Sequence, residues 1–142
     1  MIKQNIVFVE NKAGSLKRVT GLLANNNINI YGFACFDAPE FAIFRMICDN
    51  PDKAEIILNQ SGYMNRITQA IVVDMKDQVG GLDELLKIMA DSNVSLDYSY
   101  TSFHRKDLRP VVILHSEDIT VTESVLKNNG FKVFSAADEL EK

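Results

Sequence analysis

Glu10-Asn11-Lys12-Ala13-Gly14-Ser15-Leu16 and Lys76-Asp77-Gln78-Val79-Gly80-Gly81-Leu82 follow one pattern: Gly14 falls on Gly80 and Leu16 on Leu82 at an offset of 66 residues. Reading on from these loops, Val19 meets Leu85, Leu22 meets Ile88, Leu23 meets Met89, Ala24 meets Ala90 and Asn27 meets Asn93. Ile28 and Ile30 then fall on Val94 and Leu96. Near the ends of the halves, Leu58 to Tyr63 matches Leu126 to Phe131 at an offset of 68, so the second half carries two extra residues. Their natural place is the polar stretch from Phe103 to Arg109. Periodic self-similarity on this scale marks a duplicated structural unit. The chain therefore reads as two modules, residues 1–68 and 69–142.

Within a module the hydrophobic period changes in a fixed order. Gln4 to Val9 is apolar and β-branched, the signature of a strand. Leu16, Val19, Leu22 and Leu23 recur at helical spacing, with Ser15 or Asn11 as the expected N-cap. Asn25-Asn26-Asn27 ends that helix. Ile28 to Ala34 and Phe41 to Ile47 are strands around a turn at Asp37-Ala38-Pro39-Glu40. Asn50 caps a second helix with Pro51 at its first position, where a missing N–H costs nothing. Gly62 stops it, and a strand from Tyr63 to Thr68 closes the module. The same βαββαβ order restarts at Gln69, with Ala70 to Met75 as its first strand. The expected class is α+β: two ferredoxin-like modules, each an antiparallel sheet with both helices on one face. With almost no linker between copies, a rigid unit is expected, its sheets meeting side by side or across chains in a dimer.

Composition narrows the function. Of 142 residues, 46% are hydrophobic, enough for a buried core. No apolar run reaches the ~18 residues that span a bilayer, and the N-terminus shows no signal-peptide pattern. A net charge of -4 argues against nucleic acid, whose binding draws on a basic surface. An RNA-binding sheet would also need exposed aromatics in a regular array, and Phe41 and Phe44 are oddly spaced. Cys35 and Cys48 are too few for a disulfide framework and lack metal-ligand spacing. Both read as reduced, buried thiols of a cytoplasmic protein.

No catalytic set stands out. His104 lies in a polar loop and reads as solvated; His115 lies on a strand, where a satisfied or half-exposed ring is expected. Neither belongs to a nucleophile or metal motif. Glu117-Asp118 reads as helix N-cap charge, and Asp138-Glu139 as a solvated tail. Gly14 and Gly80-Gly81 open helices whose free N–H groups favour an anion, although no phosphate-loop pattern accompanies them. A carboxylate suits such a turn, and the turn alone could equally be structural. Asn11 and Asn29 carry both donor and acceptor groups, as one zwitterion requires, or serve as ordinary turn and edge residues. A small enzyme working through His115 or Cys48 remains a rival reading.

The βαββαβ order, the Glu10–Leu16 and Asp77–Leu82 loops, and Asn27-Ile28-Asn29-Ile30 with Asn93-Val94-Ser95-Leu96 resemble the ACT domain family across the whole chain. Its usual form is approximately Asn/Asp-Arg-Pro-Gly-x-Leu, a helix, then Gly-Val/Ile-Asn-Ile. Here Ala13 and Val79 stand for the proline, and Asn27 and Asn93 for the helix-ending glycine. The resemblance implies a regulatory protein that binds a free amino acid between modules and has no catalysis of its own. As an alternative it implies the regulatory subunit of an amino-acid biosynthetic enzyme. No cofactor or metal is implied. The partner is a second copy or a metabolic enzyme, with no nucleic acid and no membrane. Carried over, Asn11, Ala13, Gly14, Ser15 and Leu16 match the loop, and Asn29 and Ile30 the strand. In the second copy Asp77, Val79, Gly80, Gly81 and Leu82 match the loop, and Ser95 and Leu96 the strand. Pairing across the pseudo-twofold joins Asn11 to Ser95 and Asp77 to Asn29, so two sites of unequal affinity are expected.

Overall fold

The computed structural model describes residues 1–142. The elements are β1 (Ile2–Glu10), α1 (Ser15–Asn25), β2 (Ile30–Asp37), β3 (Phe41–Cys48), α2 (Pro51–Gln60), β4 (Asn65–Asp74), α3 (Gly81–Asp91), β5 (Leu96–Phe103), β6 (Pro110–Ser116) and α4 (Ile119–Asn128). A short 3-10 turn, Ala137–Leu140, follows. Two compact units result: Lys3–Thr68, and Gln69–Lys142 together with Met1–Ile2. Each is a βαββαβ module with an antiparallel sheet.

In the first module the strands run in the order β2-β3-β1, followed by the start of β4. Phe8 N–H donates to the Met64 carbonyl at 3.0 Å on that side. Helix α1 turns Val19 and Leu23 inward, one helical turn apart, and α2 does the same with Ala54 and Leu58. They close over Val7, Val9, Phe44 and Met46. Asn50 caps α2 by accepting from Lys53 N–H at 3.1 Å, with Pro51 at the first position, as its sequence predicts. The second module repeats this with β4-β6-β5. Leu85 and Met89 from α3 and Leu126 from α4 cover Val73, Val112 and Leu114. Each of these corresponds to a buried apolar residue of the first module by the offsets of 66 and 68, whereas buried Ala54 meets Thr122 and buried Asn5 meets Ile71. Burying such a side chain contributes roughly 1.5–3 kcal/mol.

The extra residues of the second copy lie where expected. Asp37 pairs with Ala42 across the first hairpin, enclosing residues 38–41; Phe103 pairs with Pro110 across the second, enclosing 104–109. Asn27 and Asn93 sit at φ 60° and 55°, the left-handed region that asparagine tolerates better than other side chains.

Several expectations need correction. The strands read separately as 63–68 and 70–75 are one uninterrupted strand, β4, because no glycine or proline interrupts the run. The closing strand of the second module shrinks to a single bridge between Val73 and Val133. Asp138-Glu139 is not a free solvated tail: Leu140 is buried, its carbonyl accepts from Arg105 N–H at 2.8 Å, and Glu139 caps Ser135 and Ala136 N–H. Cys35, on the outer strand β2, is exposed; only Cys48 is buried. His104 is 3% exposed rather than solvated, because the carboxylate of Asp74 reaches it at 2.8 Å and Phe134 packs edge-on against its ring.

Candidate functional site

Both glycine loops are built alike. The Ser15 N–H donates to the Lys12 carbonyl at 3.2 Å, and Gly81 N–H to the Gln78 carbonyl at 3.0 Å. Each is a four-residue turn whose third position is glycine, at φ 84° for Gly14 and 85° for Gly80. That is the geometry of a type II turn, whose second position favours proline. Ala13 and Val79 occupy it here. Neither Ser15 nor Asn11 is the N-cap of α1. Gly14 is, and no side chain caps that end; Gly80 does the same for α3. The carbonyls of Gly14 and Gly80 accept the N–H groups of Arg18 and Glu84, leaving those of residues 16–17 and 82–83 uncapped.

Ser15 is buried and Leu16 half-buried, whereas Asn11, Ala13 and Gly14 are exposed. Asn11 donates to the carboxylate of Asp37 at the end of β2. In the second loop Gly81 is buried, Val79 is fully exposed and Leu82 about half exposed. A shallow cleft of about 420 Å³ opens there between Met75, Gly80, Leu82 and Leu86.

Asn29 and Ile30 lie at the other end of α1 from Gly14, and Ser95 and Leu96 at the other end of α3 from Gly80. Each helix has 11 residues, hence is about 16 Å long. The structure thus gathers each set of loop residues, but a module does not bring its own loop and strand residues together. Asn29 N–H donates to Asp49 at 3.0 Å, and Ser95 borders a cleft of about 520 Å³ between the end of α3 and the start of α4.

Electrostatics separates the loops more sharply than Asn11 against Asp77. Residues 10–18 hold three cations (Lys12, Lys17, Arg18) and one carboxylate, Glu10; residues 76–84 hold one cation, Lys76, and three carboxylates (Asp77, Asp83, Glu84). Lys12 bridges Glu10 at 2.7 Å and holds its carboxyl below the usual range. Arg18 donates to Ser15 Oγ at 3.2 Å, which keeps its guanidinium beside the Gly14 turn. Lys76 is bound to Glu84 at 3.0 Å. A helix N-terminus flanked by Lys17 and Arg18 attracts an anion, whereas Asp83 and Glu84 neutralise the same end of α3. The sequence reading passed over these four residues; the charge sign of the first helical turn was the available signal.

Beside the second loop, Asp74 is held by His104 and by Arg109 at 3.1 Å, and Asp107 also binds Arg109, at 2.6 Å. His115 meets Asp97 at 2.8 Å and stacks on Tyr98. No three His, Cys, Asp or Glu side chains gather as a metal site requires. No helix is long and apolar enough to cross a membrane.

The family model for the ACT domain pair matches residues 1–141, and the chain belongs to that family. Among solved structures, a protein of Bacteroides thetaiotaomicron superposes with a TM-score of 0.89 at 27% identity, over 99% of this chain and 96% of that one. The ligand-free regulatory subunit of aspartate kinase from Thermus thermophilus shares the fold (TM-score 0.62, 14% identity, 90% and 91% covered). So does the aspartate kinase of Synechocystis (TM-score 0.57, 16% identity), where 94% of this chain covers 26% of that one. No curated protein matches the chain.

Proposed function

We propose that this ACT domain pair is an effector-binding regulatory protein whose ligand is a free amino acid, and that it acts on a second copy or a metabolic enzyme rather than by catalysis. The observation that carries the reading is the α1 turn: an N-terminus without a side-chain cap, opened by Gly14 and flanked by Lys17 and Arg18. Such a turn offers main-chain donors and positive charge to a carboxylate. The asparagine of the same loop supplies an amide, and Ser95 is the strand residue that the family pattern pairs with it. The α3 turn, with Asp77, Asp83 and Glu84, suits an ammonium better than a carboxylate, so the two copies of the site are unequal. Membership of a family with regulatory folds supports the role, as does the fold shared with an aspartate kinase regulatory subunit.

The test is calorimetry and thermal melting against the twenty amino acids. A true effector at a hundred times its Kd stabilises the chain by ~2.7 kcal/mol. Arg18→Glu, which copies Glu84, should weaken its binding about tenfold or more, while Glu84→Arg should not. A flat panel, or equal binding by Arg18→Glu, overturns the reading.

A further inference from the structure

Helix α4 is capped by Asn129 and stopped at Gly130, and Asn129 alone among the asparagines of the chain precedes a glycine. The pairing matters because an amide side chain is an electrophile within reach of the next backbone nitrogen. Glycine, with no Cβ, leaves that approach unhindered. The duplication supplies a counterpart without the amide. By the offset of 68, Asn129-Gly130 corresponds to Ser61-Gly62 at the end of α2. The two helix ends share one backbone path. Ser61 lies at φ -92° and ψ 6°, Asn129 at φ -97° and ψ 13°, and the glycines at φ 83° and 82°. Gly62 N–H donates to the Asn59 carbonyl and Gly130 N–H to the Lys127 carbonyl, both at 3.1 Å. Tyr63 N–H reaches the Leu58 carbonyl at 3.0 Å, and Phe131 N–H the Leu126 carbonyl at 3.1 Å. Both are helix stops of the Schellman type, with different side chains at the cap.

We infer that Asn129 is a site of spontaneous deamidation, closed while the last turn of α4 is formed and open when that turn frays. In the closed turn three features hold the reacting atoms apart. The Asn129 amide donates from Nδ2 to the Val125 carbonyl at 2.8 Å, which turns it back along the helix. The Gly130 N–H is engaged by Lys127, and at ψ 13° the Gly130 nitrogen eclipses the Asn129 nitrogen rather than its Cβ. Both residues are exposed at a helix end, where backbone bonds open most readily. Once open, the Gly130 nitrogen attacks Asn129 Cγ. The new N–C bond forms, the Cγ–Nδ2 bond breaks, and the amide leaves as ammonia with the proton given up by Gly130. Water then adds to either carbonyl of the cyclic imide, giving aspartate or its β-linked isomer. Either product places a carboxylate at the negative end of the helix and removes the donor to Val125. The β-linked form also lengthens the main chain and displaces Phe131 N–H from Leu126. The second module thus loosens with age at a point where the first, with Ser61, does not.

The site needs no ligand, so it stands or falls separately from effector binding. Wild-type protein is kept in mildly alkaline buffer, folded or in guanidinium chloride, and sampled by peptide mapping. The first exchange of NH for O should fall on Asn129, in both aspartyl and β-linked forms. It should run about tenfold faster in denaturant, where no helix end has to open first. Asn129→Ser, which copies the first module, should lose the product. Ser61→Asn, which gives the α2 end the same amide, should gain a second product at residue 61, at a rate within about threefold of that at Asn129. Aged wild type should melt about 2–4 °C below fresh protein, and aged Asn129→Ser should not. An earlier exchange at another asparagine, equal rates in folded and unfolded chains, no product at residue 61 in Ser61→Asn, or aged wild type that melts like fresh would each overturn the assignment.

Discussion

The two modules have matching cores and mismatched ends. Val7, Val19, Leu23, Met46 and Leu58 correspond to Val73, Leu85, Met89, Leu114 and Leu126, apolar on both sides. Phe8 and Phe41, which meet edge to face with centroids 5.3 Å apart, correspond to Asp74 and Arg109, an ion pair of 3.1 Å. Around the glycine turns the pair Glu10 and Arg18 becomes Lys76 and Glu84, with each sign reversed. Under the helices packing admits mostly apolar replacements, with Asn5 against Ile71 and Ala54 against Thr122 as buried exceptions, whereas charge outside costs little to change. The difference teaches where the copies have diverged in charge: at the turns and helix ends, with most of the scaffold's apolar core retained.

The comparison can be broken most forcefully at the core. Leu58→Ala and Leu126→Ala remove corresponding, fully buried side chains, and each should cost about 2–5 kcal/mol in denaturant unfolding. A cost below about 1 kcal/mol for either would mean that the two cores are not equivalent. A smaller effect separates the loops. Ser15 and Gly81 correspond, yet a Cβ built on Gly81 would lie 2.0 Å from the Lys76 carbonyl oxygen. Gly81→Ser, which gives the second loop the residue of the first, should therefore destabilise by roughly 1–3 kcal/mol. The reverse change, Ser15→Gly, should cost less, and equal costs would show that the loops share one backbone path.

The smallest effect is a pH dependence. Cys48 corresponds to Ser116, and burial pushes its thiol up to about 11 from the ordinary 9.0. The folded state then holds this proton more tightly than the unfolded state, so stability must fall as pH rises from about 9 toward 11. Between pH 9 and pH 10 the loss should be about 1 kcal/mol. Cys48→Ser, which copies the second module, should flatten that slope in melts across the range. An unchanged slope would place its origin elsewhere.

The repeat, the Asn50 cap of α2 and the turns were legible because each rests on a local rule. Gly14 and Gly80 need positive φ, Asn27 and Asn93 tolerate it, and Pro51 marks a first helical position. The turn geometry of both glycine loops was legible for the same reason. Burial at the loops was not. His104 sits in a stretch rich in charge, and the contacts with Asp74, thirty residues earlier, and Phe134, thirty residues later, draw it inside. Side-chain caps are the commoner solution and point to Ser15 or Asn11 for α1, whereas the turn bond from Ser15 N–H to the Lys12 carbonyl makes Gly14 the cap. The merging of two strands into β4 depends on pairing partners, which periodicity alone does not specify.

That merged strand has a consequence for how the chain can be cut. Residues 65–68 serve the first module and 71–74 pair with β6 of the second, with no punctuation between them. A gene divided at the point of duplication would leave each fragment with a frayed, sticky terminus, while the exposed hairpin tip at Pro39 and Glu40 offers a harmless place for a break or a graft. The ancestral seam is thus the poorest site for separating the halves.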